Sequence, residues 1–588
     1  MGRLKNYIHV IFQPADFAFG KTARRCLHAT FLNGVHIMNI LVLGAGLMQK
    51  PAILSAKEEG FTVHVIDADD KAVAIPFADT FRKIDLKDKE GILAYAKELK
   101  ASPEGLSAVF TAGTDFSASV SYVCEALGLP AHSHQAAINA SVKTVMRQCF
   151  ADAGVPSPAF VRVSREDLSA VDSQILLNSI LQKMSFPFVV KPVDNMGARG
   201  CRMVRSQEEF FSAVKCAVEC SRTGFAIVEE YMEGPEFSID ALVQNGSFTV
   251  TGFAVRHIKY EPYFIEVGHT MPAELDKKMH DELISVFALG AKALGLTCGA
   301  AKADIKYTSK GPMIGEIAGR LSGGYMSGWT YPYASDLNLT KQGILIASGK
   351  NPEELVKRRL PVSFTPSELC KNAAKPYELF EVPCLRTSAE RAWMSIPGTV
   401  KYIENIKDYS DRAVFDVLPR ATVSIGSEVD FPRNNVEKCG NVIAVSHSRE
   451  AAIAVAEDAV SDVFITLEAD NPRTEAFLAG NQASDEAAFP PDAFGKLSEE
   501  ELKEIAAEKS EIPANTKAAD FIPKVLQSAE YINKKDWNYN TIKTTAQKFD
   551  ILRPKHPALN SERFWKAVMR GGIQAAVYVS DTIERLGK

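Results

Sequence analysis

The stretch from Ala301 to Tyr325 constrains the fold of this chain more than any other part of the sequence. An alternating strand, A-K-A-D-I-K-Y, is followed by a Ser-Lys-Gly turn and a return strand, P-M-I-G-E-I-A. Two such strands joined by a short turn predict a hairpin in which Asp304 and Glu316 face each other. Magnesium binds to a few carboxylates together with phosphate oxygens of a substrate. An amphipathic hairpin with solvated charges is the alternative.

The residues after the return strand favour a ligand site over a solvated hairpin. Arg320 follows Glu316 by four residues, and its guanidinium can stabilise charge on a transferring phosphoryl group. Gly323 and Gly324 indicate that the chain approaches a ligand closely.

A second candidate region begins with a strand that ends on a lysine, F-P-F-V-V-K-P-V. Lys191 stands at the end of this stiff strand, where its compact charge can point at phosphate oxygens. The next residues, D-N-M-G-A-R-G-C, include Gly197, Ala198 and Gly200, which allow backbone N–H groups to close over an anion. Lys143 lies on an earlier predicted helix. Two lysines and a flap of small residues suit a triphosphate, whereas a lone strand-end lysine would normally be solvated.

The segment I-V-E-E-Y-M-E-G-P-E-F-S-I-D joins two predicted strands through a Gly-Pro turn. Its backbone can contact an adenine edge, and Glu236 is placed for ribose hydroxyls. Taken alone, the segment is more typical of an ordinary acidic hairpin.

A short glycine pattern, Gly44-Ala-Gly46, follows the first apolar strand, and Asp67 lies about 20 residues later, as in dinucleotide-binding sites. The third glycine position is occupied by Gln49. A tight turn without a cofactor is therefore favoured over an oxidoreductase site.

Short apolar strands alternate with helices from Met38 onwards, which predicts an α/β protein that begins with a parallel, doubly wound sheet. The 588 residues suggest several domains. The expected divisions are a Rossmann-like domain at 38–140, a nucleotide-binding domain at 141–350, a small α/β lid at 360–470 and a helical extension of unknown role at 471–588. The helices of that extension could pack on the core, form an oligomer or bind a partner.

Residues 1–37 differ in composition from the rest, because five basic side chains accompany the single acid Asp16. A transit-like peptide is one interpretation. We favour an extension without a structural role, in which the functional chain starts at Met38.

Composition excludes several function classes. The net charge of −5 argues against a nucleic-acid partner, and no apolar run is long enough to span a bilayer. Ten cysteines without a CxxC pair indicate reduced thiols, so we expect a cytoplasmic protein.

In their order along the chain, these motifs resemble those of the ATP-grasp superfamily of carboxylate–amine ligases. The resemblance covers about residues 38–465 and implies an ATP-grasp fold with an N-terminal Rossmann-like domain, an ATP-binding domain with a mobile flap, and a small C-terminal lid. Similarity to the L-amino-acid (dipeptide) ligases is found in two segments, F-I-E-V-G-H-T-M-P-A-E-L and E-I-A-G-R-L-S-G-G.

The resemblance implies a role for each matching residue. Those implied to bind ATP are Lys143, Lys191, Gly197, Ala198, Gly200, Glu229, Glu230, Tyr231, Met232 and Glu236. The implied catalytic cations are Arg320 and Lys259. The implied substrate pocket contains Glu266, His269, Gly323 and Gly324. The implied magnesium ligands are Asp304 and Glu316. Mn²⁺ is an alternative ion. A satisfied loop histidine is an equally good interpretation of His269.

The implied activity is phosphorylation of a carboxylate by ATP to an acyl phosphate, which an amine then attacks. One departure concerns Ala318, where the superfamily commonly has a magnesium-binding Asn, and it puts a second metal in doubt. The alternatives are a bicarbonate-using carboxylase or carbamoyl-phosphate-type enzyme, although no biotinyl A-M-K-M sequence is present, and a non-catalytic ATP-binding protein. The partners are small molecules, and a homodimer is left open.

Overall fold

A computed structural model describes residues 38–168, 170–404, 414–480, 489–508 and 510–587. The expected extension at 1–37 lies outside these residues. Within them, no helix combines the length and apolarity that crossing a membrane requires.

The chain begins with a four-stranded parallel sheet in the order β3-β2-β1-β4, which confirms the predicted parallel arrangement. Its elements are β1 (Asn39–Leu43), α1 (Lys50–Glu58), β2 (Thr62–Asp67), β3 (Thr80–Lys83), α2 (Lys89–Ala101), β4 (Leu106–Phe110), α3 (Ser117–Leu127) and α4 (His134–Ser141). Every residue of β1 is buried, as expected for a strand covered on both faces. Helix α3 ends at Gly128, whose φ of 66° is readily adopted by glycine.

A small antiparallel sheet follows, in the order β5-β8-β6-β7. Its elements are α5 (Lys143–Ala153), β5 (Phe160–Ser164), α6 (Ala170–Leu181), β6 (Phe188–Pro192), β7 (Arg202–Val204), α7 (Gln207–Cys220) and β8 (Phe225–Glu230). Apolar side chains of α7 pack on this sheet and form a separate hydrophobic core. The sheet thus supplies a rigid support for the residues that connect β6 to β7.

The next elements form the first half of a large mixed sheet. They are β9 (Glu236–Gln244), β10 (Ser247–Lys259), β11 (Ile265–Met271), α8 (Lys277–Leu294), β12 (Gly299–Thr308), β13 (Gly311–Ala318), α9 (Tyr331–Ser335), α10 (Leu339–Ala347) and α11 (Glu353–Arg358). Helix α8 begins with Asp276, whose carboxylate accepts the amide of Met279, and its apolar face packs on the sheet.

The sheet continues into the segment expected to be a separate lid. The elements there are β14 (Leu360–Pro361), β15 (Glu378–Glu381), β16 (Thr387–Trp393), β17 (Gly398–Glu404), β18 (Asp416–Ala421), β19 (Glu428–Val429), β20 (Gly440–Ser446), α12 (Arg449–Ser461) and β21 (Phe464–Leu467). The strands of the large sheet follow the order β13-β12-β9-β10-β11-β16-β20-β18, and β15 pairs with β10 outside this order. The pairing of β11 with β16 carries one sheet across the expected division at 350–360.

The described part of the C-terminal region packs on the core, which is the first of the three possibilities that its sequence left open. Its elements are α13 (Pro472–Ala479), α14 (Glu499–Glu508), β22 (Glu511–Ile512), α15 (Ile542–Leu552), β23 (Leu559–Asn560) and α16 (Ser561–Leu586). Trp565 and Tyr578 of α16 are fully buried in the same hydrophobic core as Trp393 of β16. This region is therefore continuous with the core of the preceding α/β segment.

Candidate active site

The predicted hairpin is present, and its register places the two carboxylates side by side. Asp304 of β12 is paired with Glu316 of β13. Ala303 and Ile305 are fully buried in the hydrophobic core, because successive side chains of a strand point to opposite faces. Asp304 therefore lies on the face opposite that core.

The Asp304 and Glu316 carboxylates fit a magnesium ion. Asp304 Oδ1 is buried and has no hydrogen-bond partner among the described residues. Burial opposes ionisation of Glu316, but Lys143 and neighbouring lysines lower its pKa to about 2. In the parts of the chain that the structure describes, no third acid, histidine or cysteine completes a cluster. The ion would therefore take its remaining ligands from phosphate oxygens and water, as magnesium commonly does.

The two predicted lysines lie close to this hairpin. Lys143, at the start of α5, is buried; its Nζ donates to the carbonyl of Asn195 at 3.0 Å and lies 3.8 Å from Glu316 Oε2. Lys191 Nζ lies 2.7 Å from Glu229 Oε2, and Arg147 lies 2.9 Å from the other oxygen of Glu229. Burial opposes ionisation of Glu229, but these two cations lower its pKa. The side chain of Glu229 is thus committed to ion pairs, and its backbone lies between β5 and β6 in the small sheet.

The flap of small residues follows Lys191 and has the backbone that its sequence predicts. Gly197, Ala198 and Gly200 have φ values of 69°, 61° and 69°, a region that glycine adopts most readily. A Cβ at Gly200 would lie 2.8 Å from the Cβ of Cys220 on α7, so glycine is also required by space. The carbonyl of Gly197 accepts a hydrogen bond from the amide of Asn435, which anchors the flap to the loop before β20.

The segment between β8 and β9 lies beside the hairpin. Lys306 of β12 donates to the carbonyl of Met232 at 3.1 Å, approaches Glu236 at 3.7 Å and lies 4.8 Å from the ring centre of Tyr231. Glu230 lies 3.8 Å from Lys310 in the hairpin turn. The four predicted residues therefore form one edge of the site, held to β12 by lysines.

Arg256 joins the three predicted parts of the site. Its guanidinium lies 2.5 Å from Glu236, 2.8 Å from Glu266 and 3.1 Å from Asp304. Sequence reasoning chose Lys259 on this strand, but Lys259 is exposed at the end of β10. The cation of β10 that reaches the carboxylates is Arg256, which is paired with Glu236 in the sheet.

Glu266 and His269, the predicted substrate residues, are buried at the far side of Arg256. His269 Nδ1 lies 2.6 Å from Glu390, and Nε2 lies 3.5 Å from Glu266. Burial opposes protonation, but Glu266 and Glu390 raise the pKa of His269 to about 9. Lys438 Nζ lies 3.7 Å from Glu266 Oε1. His269 is therefore a protonated part of an ion-pair chain.

The glycines after the hairpin approach these acids. A Cβ at Gly324 would lie 3.3 Å from Glu266 Oε1, and Gly323 packs on Gly113 in the loop after β4. Arg320 Nε and Nη2 donate to Asp115 Oδ1 at 2.9 and 2.7 Å. The N-terminal unit thus holds the guanidinium of Arg320 through Asp115.

The short glycine pattern near the N-terminus is filled by its own contacts. Gln49 Nε2 donates to the carbonyl of Ala112, and a Cβ at Gly44 would meet the Gln49 side chain at 3.0 Å. The carboxylate of Asp67 accepts hydrogen bonds from the backbone amides of Ala45 and Asp69. A tight turn explains these residues without a dinucleotide.

Comparison with known proteins agrees with this geometry. A family model described as an ATP-grasp domain matches residues 184–328, and the L-amino acid ligase C-terminal domain 2 matches residues 392–468. The chain has an ATP-grasp fold. The structure of L-amino acid ligase from Bacillus licheniformis superposes on this chain with a TM-score of 0.59 and 18% identity, over 73% of this chain and 99% of that one.

Two curated proteins are similar in sequence to parts of this chain. Carnosine synthase 1 of Homo sapiens is 24% identical over 332 residues, which is 53% of this chain and 40% of that protein. Alanine–anticapsin ligase of Bacillus subtilis (strain 168) is 24% identical over 243 residues, which is 37% of this chain and 49% of that protein. The chain thus matches about half or less of the length of each.

Sequence reasoning missed Arg147, Asp115 and Arg256. Arg147 and Asp115 become visible as site residues only when distant segments meet. A local signal for Arg256 did exist, because side chains alternate between the two faces of a strand. The pairing of Arg256 with Glu236 places the guanidinium on the same face as the carboxylates of the site.

Proposed function

We propose that the protein is an ATP- and magnesium-dependent ligase that phosphorylates a carboxylate, with an amino acid as the first candidate, and joins the acyl group to an amine with release of ADP and phosphate. The observation that carries this proposal is the convergence of Asp304 and Glu316 with Lys143 and Arg320 on one face of the sheet. These are the groups that phosphoryl transfer to a carboxylate requires.

The nucleotide would lie between the small antiparallel sheet and the large mixed sheet. Lys143 and Lys191 would bind its phosphates, the flap from 194 to 200 would cover them, and the segment from Glu229 to Met232 would contact adenine through its backbone. Glu236 would accept the ribose hydroxyls. Bound magnesium, held by Asp304 and Glu316, would neutralise phosphate charge.

The acyl transfer would depend on Arg320. The substrate carboxylate attacks the γ-phosphate in line, and the acyl phosphate then reacts with the amine, which displaces phosphate. Arg320 would stabilise the oxygens that gain charge in both steps, and Asp115 would hold its guanidinium in position. No protein nucleophile is needed.

The substrate pocket would be bordered by Glu266, His269, Gly323 and Gly324. The printed names of an L-amino acid ligase and an alanine–anticapsin ligase among the similar proteins support an amino acid as one substrate. Lys259 is a proposed contact to the terminal phosphate. Because Lys259 is exposed at the end of β10, this contact requires that the end of β10 moves when the nucleotide binds.

The proposal also includes the division of the chain into units near residues 140, 350 and 470, a cytoplasmic location and Mn²⁺ as a substitute ion. The cysteines of the described residues are free, which supports a reducing compartment.

The test is phosphate release from ATP with magnesium, screened over single amino acids, amino-acid pairs, small carboxylic acids and bicarbonate. Release that requires an acid and an amine together would support the ligase. Release with bicarbonate alone would transfer the assignment to the carboxylase type. ATP binding without release under any of these conditions would contradict the proposal and favour a non-catalytic ATP-binding protein.

A further inference from the structure

The residue opposite Ala318 is a lysine that points at the metal-binding carboxylates. Ala318 follows Glu316 by two residues and therefore lies on the same face of β13. Its cross-strand partner on β12 is Lys302, and Lys302 precedes Asp304 by two residues on the same face. Side chains of directly paired residues lie about 4.5–5.5 Å apart at Cβ. Lys302, Asp304, Glu316 and Ala318 thus form a square on one surface.

The ammonium of Lys302 is fixed in this square. Its side chain is 12% exposed, and its Nζ forms an ion pair with Asp304 Oδ2. A positive charge of the hairpin itself therefore lies against Asp304, the first acid of the proposed metal site.

The chemistry of the four side chains suits one divalent ion and not two. A protonated lysine has three donors and no acceptor, so it cannot ligate a metal. Ala318 offers only a methyl group where an oxygen ligand would be needed. Asp304 Oδ1 remains buried and without a partner among the described residues, and Glu316 faces it. One ion can use these oxygens together with phosphate oxygens.

We propose that Lys302 takes the place of a second magnesium ion. On this view the protein binds one divalent ion per nucleotide, between Asp304 and Glu316, and the Lys302 ammonium supplies the remaining positive charge to the phosphates. The inference rests on the proposed function, since it assumes that a nucleotide phosphate lies over this hairpin. Lys302 is then a residue that touches substrate, and the absence of an oxygen at Ala318 is compensated by a fixed cation.

The experiment counts ions. The full chain is saturated with a non-hydrolysable ATP analogue, Mn²⁺ is titrated in, and bound Mn²⁺ per bound nucleotide is measured by electron paramagnetic resonance of the free ion. The wild type is expected to bind one. The double variant Lys302→Met with Ala318→Asn, which restores an oxygen and removes the charge, is expected to bind two and to show dipolar broadening between the ions.

Two single variants define the role of the charge. Lys302→Arg keeps it and should still bind one ion. Lys302→Met should bind the analogue about tenfold more weakly, as expected for loss of one charge-assisted contact. Lys277→Met is the matched control, because the side chain of Lys277 is 79% exposed on α8, and its affinity for the analogue should be unchanged.

Two ions in the wild type would overturn the inference and leave the ligase proposal intact. One ion in the double variant would also overturn it, because Lys302 would then not be what excludes the second ion. If the wild type binds neither analogue nor Mn²⁺, the proposed function itself fails. The wild-type count needs no variant, so the test holds even where a substitution prevents folding.

Discussion

The guanidinium of Arg320 is held by Asp115, a residue 205 positions earlier in the chain, through Nε and Nη2 at 2.9 and 2.7 Å from one carboxylate oxygen. The contact is supported by a parallel β-bridge between Ala112 and Leu321. The loop after β4 therefore positions a side chain just beyond the hairpin, although the two segments belong to different parts of the chain.

This pair yields the first prediction. Asp115→Asn keeps the shape of the side chain but removes its charge, so Arg320 should lose its orientation and kcat should fall by about tenfold or more with a smaller change in the KM for ATP. Arg320→Ala should cost about 10²–10³-fold, as for loss of one group that stabilises transition-state charge. Steady-state phosphate release measures both.

The two substitutions should not be additive, because Asp115 acts through Arg320. The double variant is expected to be no slower than Arg320→Ala alone. Asp70→Asn, in an exposed ion pair of the same N-terminal sheet, is the control and should have normal turnover. Near-normal ATP turnover in Arg320→Ala would refute the assignment of this site.

The second prediction concerns the metal. Glu316→Ala removes one of two carboxylates proposed to bind magnesium, and turnover should fall by about two orders of magnitude or more, because phosphate charge is no longer neutralised. Removing divalent ions from the wild type with a chelator should abolish phosphate release, and added Mg²⁺ should restore it. Metal-independent release, or normal turnover of Glu316→Ala, would contradict the role of the hairpin.

The third prediction concerns stability. Glu229 is buried between Arg147 and Lys191, so Glu229→Gln leaves two cations without a compensating charge. Breaking a buried ion pair costs about 3–5 kcal/mol, and the first thermal transition should move to clearly lower temperature. Glu230→Gln, which affects a partly exposed pair at 3.8 Å, should change stability by less than about 1 kcal/mol. Equal melting temperatures for the two variants would show that the Glu229 cluster does not stabilise the fold.

The fourth prediction concerns pH. The pKa of His269 is raised to about 9 in the folded chain, against about 6.5 for an unperturbed histidine. Its protonation therefore adds stability that is fully present below pH 6.5, decreases as the pH rises, and is lost above pH 9. The 2.5-unit difference sets an upper value of roughly 3 kcal/mol.

His269→Gln should abolish this part of the pH dependence. Thermal unfolding of the two proteins at pH 6.5 and pH 9.5 measures the difference in slope. His447→Gln is the control, since His447 is exposed. A variant at 269 that loses as much stability as the wild type over this range would show that His269 is not protonated in the folded state.

The fifth prediction concerns the flap. The Asn435 amide donates to the carbonyl of Gly197, and Asn435 Oδ1 accepts the amide of Glu266 at 2.8 Å. Asn435→Ala removes the second bond, so the loop should hold the flap less firmly. Trypsin cleavage after the exposed Arg199 should become faster, and an ATP analogue should slow it. Asn434→Ala, which loses contacts to Glu437 and to the amide of Val436 but none to Glu266, should leave the cleavage rate unchanged.

If instead Asn434→Ala accelerates cleavage as much as Asn435→Ala, the effect would be general loosening of the loop. The specific link between flap and substrate residues would then be wrong.

Local patterns in the sequence were sufficient for the hairpin, the parallel N-terminal sheet and the flap. The alternation in A-K-A-D-I-K-Y and the short turn after it predict the hairpin and its faces. The pairing of Asp304 with Glu316 also requires a one-residue register shift between Asp304 and Ile305, which the alternation does not predict. The glycines at 197 and 200 permit the positive φ values found there, whereas Ala198 adopts a φ of 61° against the preference of an L-residue.

What the tertiary structure decided is which charges meet. Arg256 rather than Lys259 joins the carboxylates, and Asp115, Glu390 and Lys438 reach the site from segments far away in the chain. The pairing of β11 with β16 likewise continues one sheet through an expected domain division. Such contacts depend on how whole sheets and helices pack together. The spacing of apolar residues, with a period of two in a strand or 3.6 in a helix, specifies which face of an element is buried but not which distant element covers that face.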